Sequence, residues 1–133
     1  MGRLNISSGT IWEEKVGYSR AVKVGDQIFV SGTVAVNEKN EIVGINDAYE
    51  QTKFILNKIG IALEKAGGNF IDVVRTRMYV TNIEDSEKIG NAHAEVFKNI
   101  KPASTMVEVS KLVDPQLLIE IEVDAVISNS EER

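Results

Sequence analysis

Between Leu118 and Ile127 the chain alternates without a break, with Ile119, Ile121, Val123 and Ala125 on one side and Glu120, Glu122 and Asp124 on the other. Successive side chains of a strand point to opposite faces, so this segment calls for a sheet with one apolar face and one charged face. The run Val73-Val74-Arg75-Thr76-Arg77-Met78-Tyr79-Val80 repeats the pattern. Val74, Met78 and Val80 are expected on its apolar side, and Arg75, Arg77 and Tyr79 on the other. Such strands set side by side would form a ladder of cross-strand ion pairs. The apolar side needs a covering layer, and the rest of the chain must supply it.

Two strands, Arg20–Val24 and Gln27–Ser31, flank Gly25-Asp26, a two-residue turn in which a leading glycine matches the twist of a hairpin. Thr33–Val36 extends the second strand past Gly32, and a glycine inside a strand marks a bulge or a close approach by another group. A polar turn at Asn37–Asn40 leads to a short edge strand around Glu41-Ile42-Val43. From Asn46-Asp47 the period becomes helical: Ala48, Thr52, Ile55, Leu56, Ile59, Ala62, Leu63 and Ala66 share one face, and Gly67-Gly68 closes the helix. Gly60 inside it costs about 1 kcal/mol in propensity, which a close helix-to-sheet approach would offset. A strand over Ile71–Val80 follows, then a second helix to about Asn99 with the stripe Ile89, Ala92, His93, Val96, Phe97 and Ile100, then strands at Thr105–Lys111 and Leu118–Ile127 with a turn at Asp114-Pro115. The order β-β-β-α-β-α-β-β predicts a single α+β domain over residues 1–133, a six-stranded mixed sheet with two helices on one face, ending in a polar tail at 128–133.

The 133 residues include no cysteine and one histidine, and 15 basic against 20 acidic groups give a net charge of -5. Disulfides, thiolate catalysis, zinc-thiolate sites and multi-histidine metal centres are excluded, leaving only a carboxylate-rich arrangement for a metal. The acidic balance and the lack of a basic stripe argue against nucleic acid as a partner. No secretory leader or run of roughly 18 apolar residues is present, so a cytoplasmic protein with no membrane partner is expected.

A carboxylate such as Glu120 on a rigid strand beside arginines is suited to positioning or deprotonating a water. The competing reading is a solvated charged face. Taken alone, Tyr18, Ser31 and Asn91 read as turn, strand and helix residues rather than catalytic ones, and His93, on an apolar stripe, as a core histidine bonded to backbone.

The segments Gly17-Tyr18-Ser19-Arg20-Ala21-Val22, Val30-Ser31-Gly32, Asn91-Ala92-His93-Ala94-Glu95-Val96-Phe97, Pro102-Ala103-Ser104-Thr105-Met106-Val107-Glu108-Val109 and Ile119-Glu120-Ile121-Glu122 resemble, in order and across residues 4 to 127, the RidA (YjgF-type) family of reactive-intermediate deaminases. The resemblance implies a chorismate-mutase-like fold and a homotrimer with sites between subunits, its charged sheet faces meeting at the centre. It also implies cofactor-independent hydrolysis of imines and enamines to carbonyl compounds and ammonia. By this resemblance Glu120 is the catalytic residue that holds or activates the water. Tyr18, Ser31, Gly32, Asn91, Ser104, Thr105 and Met106 line the pocket for an imine, enamine or keto-acid-like ligand.

One position departs from the pattern. Ser104 stands where such relatives carry an arginine that grips the substrate carboxylate, and Met106 where they often carry cysteine. Loss of a buried guanidinium–carboxylate pair is expected to cost about 3–5 kcal/mol of binding. Either Arg75 or Arg77 supplies the charge from the adjoining strand, or the ligand is uncharged at that end. The substrate is altered in both cases. The alternatives to an enzyme are a trimeric, non-catalytic metabolite-binding or regulatory protein and, with less support from the charge, a ribonuclease or translation inhibitor.

Overall fold

The computed structural model describes residues 2–128, so all of the expected polar tail except Ser128 lies outside the described residues. One six-stranded sheet runs in the order β1-β2-β3-β6-β4-β5, built from β1 (Arg3–Ile6), β2 (Ala21–Val24), β3 (Gln27–Thr33), β4 (Val73–Val80), β5 (Ala103–Glu108) and β6 (Ile119–Val126). Among the described residues only β4 and β5 pair in parallel. Three helices, α1 (Ile11–Val16), α2 (Ala48–Lys65) and α3 (Ser86–Phe97), complete the fold. Helices α2 and α3 pack on each other, and α2 lies over β3 and β6. Their stripes meet Ile28, Val30, Met78, Val80, Ile119, Ile121, Val123 and Ala125 in a single core.

The alternation in β6 holds along its whole length, with Ile119, Ile121 and Val123 fully buried. The hairpin forms as expected, Val24 opposite Gln27 and Gly25 at φ +60°. Asp47 caps α2 by accepting from the Glu50 N–H at 3.0 Å, and Gly67 at φ +88° ends it.

Five expectations change. The second hairpin strand passes Gly32 but ends at Thr33 rather than running on to Val36. Residues 41–43 form no strand, only one bridge between Ile42 and Val36; the edge is Arg3–Ile6, paired to β2. Helix α1 adds a third helix to the two expected. Val74 is 47 % exposed, because the register of β4 against β6 shifts between Val73 and Arg75; the bulge puts Val73 and Thr76 on the apolar side instead. Gly60 admits the Phe70 ring rather than a strand, since a Cβ there would stand 2.7 Å from Phe70 Cζ.

Gln51 pins α2 to the loop before β6. Fully buried, it donates through Nε2 to the carbonyls of Gly44 at 3.1 Å and Gln116 at 2.9 Å and accepts from the Leu118 N–H at 2.9 Å. Gln51→Leu keeps the volume and removes all three bonds. The expected loss is about 3 kcal/mol, read as a lower urea midpoint at unchanged slope.

The sheet face away from α2 and α3 has no cover in a single chain. It carries Val24 and Phe29, both nearly half exposed, at one end and Arg75, Arg77, Tyr79, Glu120, Glu122 and Asp124 in register along β4 and β6.

Candidate functional site

The pairing of β3 with β6 loses register between Val30 and Thr33, so Ser31 and Gly32 bulge toward Glu120. A Cβ at Gly32 would overlap Glu120 Oε2 and stand 3.0 Å from Cδ. The carboxylate therefore rests directly on the Gly32 α-carbon, and glycine is the residue that leaves it room. The Ser31 hydroxyl donates to the Ser19 carbonyl at 2.6 Å, and the Ser31 N–H to the Arg20 carbonyl at 3.0 Å. These bonds hold the bulge against the segment carrying Tyr18 and Arg20.

Arg20 is the residue that sequence reasoning missed. Its Nη2 donates to the Gly32 carbonyl at 2.6 Å and its guanidinium lies 5.8 Å from the Tyr18 ring centroid. Gly32 thus carries the guanidinium on its carbonyl and the carboxylate on its α-carbon. The available signal was a charged residue beginning a strand within the quoted Gly17–Val22 motif. Burial pushes the Glu120 carboxyl above its ordinary value; Arg20 opposes this and Glu122 reinforces it. Glu120 accepts no hydrogen bond from the described residues, which leaves its oxygens free for water or ligand. Nearby, the half-buried Lys58 donates to the Val36 carbonyl at 2.9 Å, and burial, with Arg20 adding, lowers its pKa.

A second cluster forms around Ser104. Thr76, fully buried, donates its hydroxyl to Ser104 Oγ at 2.8 Å and meets His93 Nε2 at 3.0 Å. His93 packs on Phe97, ring centroids 4.6 Å apart, and burial lowers its pKa, favouring the neutral ring. Its partner is a side-chain hydroxyl, not the backbone expected of a core histidine. Met106 sits beside Met78 on the same side and packs against the core. Asn91 projects from the exposed side of α3.

The two clusters face apart. Tyr79 is opposite Glu120 and Thr76 opposite Ser104, and residues three apart on a strand point to opposite faces. Within one chain the structure therefore joins Tyr18, Ser31, Gly32 and Glu120 around Arg20 but separates them from Ser104. Arg75 and Arg77 lie on the charged face. Arg77 reaches Asp124 at 3.1 Å and Glu122 at 3.7 Å, and Tyr79 donates to Glu122 at 2.7 Å. Thr105 pairs with Arg77 and shares that face. The ladder of ion pairs is thus centred on Arg77, more than a third exposed and worth at most about 1 kcal/mol per pair. A hollow of about 350 Å³ lined by Tyr18, Ser19, Glu13 and Arg3 does not include Glu120; the Glu120 carboxylate and the Arg20 guanidinium meet at Gly32 instead. Among the described residues no three His, Asp or Glu side chains converge as metal ligands, and no helix is long and apolar enough to cross a membrane.

The family model described as Endoribonuclease L-PSP matches residues 12–127. A protein named 3-aminoacrylate deaminase RutC from Acinetobacter baylyi is 36 % identical over 78 % of this chain and 82 % of its own length. A RutC family protein from Saccharolobus solfataricus is 42 % identical over 81 % and 85 %. Among solved structures, a member of the YjgF/YER057c/UK114 family from Mycobacterium tuberculosis superposes with a TM-score of 0.86 at 44 % identity, covering 95 % of this chain and all of that one.

Proposed function

Because this chain belongs to the Endoribonuclease L-PSP (YjgF/Rid) family, we propose that it hydrolyses imines and enamines to carbonyl compounds and ammonia, with Glu120 moving the protons. The observation that carries the reading is the half-buried Glu120 carboxylate, seated on Gly32 with no hydrogen-bond donor on its oxygens among the described residues and its pKa raised by burial. An enamine takes a proton at carbon to become an iminium, water adds to the C=N carbon, and the tetrahedral adduct expels ammonia. The net change is one water consumed and one ammonia released. A single carboxyl can take the proton from the attacking water and return it to the leaving nitrogen. A pKa shifted toward the working pH suits both steps.

The split between the Glu120 and Ser104 clusters favours a site assembled from neighbouring copies, in keeping with a homotrimer. In that arrangement Ser104, with its hydroxyl bonded to Thr76, supplies a neutral wall where an arginine would stand. The substrate is altered accordingly. The named activity of the Acinetobacter relative, 3-aminoacrylate deamination, makes small enamine acids the first substrates to try.

The test is a coupled measurement of carbonyl product and ammonia from freshly generated imines and enamines, acidic and neutral. Turnover above buffer is expected for at least one; no turnover of any would overturn the reading and favour a non-catalytic metabolite-binding protein. Sedimentation should give three chains per particle, and a fully active monomer would overturn the shared site. Because burial raises Glu120, kcat/KM should fall on its acid side at a pH above the ordinary carboxylate value of 4.5. Glutamate acts as base only when ionised, so the rate is full above that raised pKa and lost below it.

A net charge of -5 gives no support to ribonuclease activity, which needs a basic surface for the phosphate backbone.

A further inference from the structure

Arg20 is 9 % exposed, yet among the described residues no carboxylate oxygen lies within 4.0 Å of its guanidinium. Of the five N–H donors of an arginine, Nη2 is bonded to the Gly32 carbonyl, and Nε is buried with no partner. A buried cation is ordinarily paired, because removal from water is costly unless an anion and its hydrogen bonds replace the solvent. Arg20 is left with one neutral acceptor.

The carboxylates around it do not fill this role. Glu13 is turned to the N-terminal loop, where it accepts from the Ser8 N–H at 3.1 Å and from the Ser8 and Thr10 hydroxyls. Glu120 rests on the other side of Gly32 and acts on Arg20 only at longer range. The half-buried Lys58 adds a second positive charge within electrostatic reach. Of the two arginines expected to supply the charge, Arg77 is already paired to Asp124 and Glu122, and Arg75 stands opposite Asp124 at the far end of the strand register from Glu120.

We propose that Arg20 is the anion anchor of the Glu120 site, binding the carboxylate of a small 2-keto, 2-imino or enamine acid in place of the arginine missing at position 104. This rests on the deaminase reading for the identity of the ligand, but not for the existence of the anion site. The carboxylate is held from the Glu120 wall rather than the Ser104 wall, so the reacting carbon is presented to Glu120 from a different direction. Arg20 is thus a substrate-contacting residue that sets specificity for acids over their amides.

The experiment compares binding of pyruvate and of neutral pyruvamide to the intact protein by calorimetry. Wild type should prefer pyruvate, and Arg20→Gln should weaken pyruvate by at least about tenfold, as for loss of a charged hydrogen-bonded partner, with pyruvamide unchanged. Arg20→Lys should retain part of the preference. A purely structural Arg20 would weaken both ligands alike, and that result overturns the proposal. Should Arg20→Gln fail to fold, nitrogen NMR of the wild-type arginine side chains decides: the Arg20 Nε–H resonance moves with pyruvate and not with pyruvamide, and no movement overturns the anchor. Turnover that persists unaltered in Arg20→Gln rejects the anchor while leaving the deaminase reading intact. Arg20-dependent pyruvate binding without turnover of any imine rejects the deaminase and retains the anchor.

Discussion

Glu120→Gln should lower kcat by about 10²–10⁴, the range for loss of a general acid–base group, while raising the melting temperature at neutral pH. The two effects have one cause. Burial holds the folded carboxyl above its ordinary value of 4.5, so ionising it costs the folded state more than the unfolded chain. Its contribution to stability is full below the unfolded pKa and is lost as the pH rises through the folded one. Glutamine keeps the shape, cannot ionise and removes that penalty. Melting curves of wild type and variant should therefore differ at pH 7 and converge below the ordinary value of 4.5. A variant with full activity would remove Glu120 from the chemistry, and one less stable at neutral pH would contradict the direction of its shift.

Gly32→Ala should lose activity on a comparable scale, about 10²-fold or more, for a steric reason. The added Cβ collides with the end of the Glu120 side chain rather than with backbone. A flexible carboxylate can swing aside, so the fold should lose no more than about 1 kcal/mol. The carboxylate then leaves its place on Gly32 and becomes better solvated, and any residual activity should show an acid limb nearer the ordinary carboxylate value. Adding Gly32→Ala to Glu120→Gln should cause little further loss in kcat, because both changes disable one unit. An active Gly32→Ala would mean that the observed seat of Glu120 is not the working one.

Long elements were legible because periodicity reports a buried face. In α2 every residue of the expected stripe is buried, and β6 alternates without exception. Short elements carry no such record. Three of the four residues of β1 are exposed, and α1 buries Glu13 while leaving Ile11, Trp12 and Val16 outside, the reverse of an apolar stripe. Val73-Val74 could not reveal the bulge, since two adjacent valines satisfy either phase of a strand.

The candidate site divides the same way. Glycine in a strand signalled a close approach at Gly32, and the approaching group is Glu120. The Thr76–His93–Ser104 cluster depends on the register of β5 against β4, which no local pattern encodes. Arg20 was hidden because a charged residue at the start of a strand ordinarily reaches solvent, and here the bulge folds over it.

The place of β6 in the sheet also governs the order in which this molecule can assemble. It is the last strand in sequence among the described residues but stands between β3 and β4, so until it leaves the ribosome the sheet is two halves with no middle. Its pairing with β3 joins Gln27 to Val126, a contact across about three-quarters of the chain, and long-range pairings of this kind slow folding because loop closure precedes any reward. During synthesis the facing edges of β3 and β4 stay unpaired and open to mispairing. The strand that brings in Glu120 is thus also the one that closes the fold, and a nascent chain acquires its central carboxylate and its core in the same step.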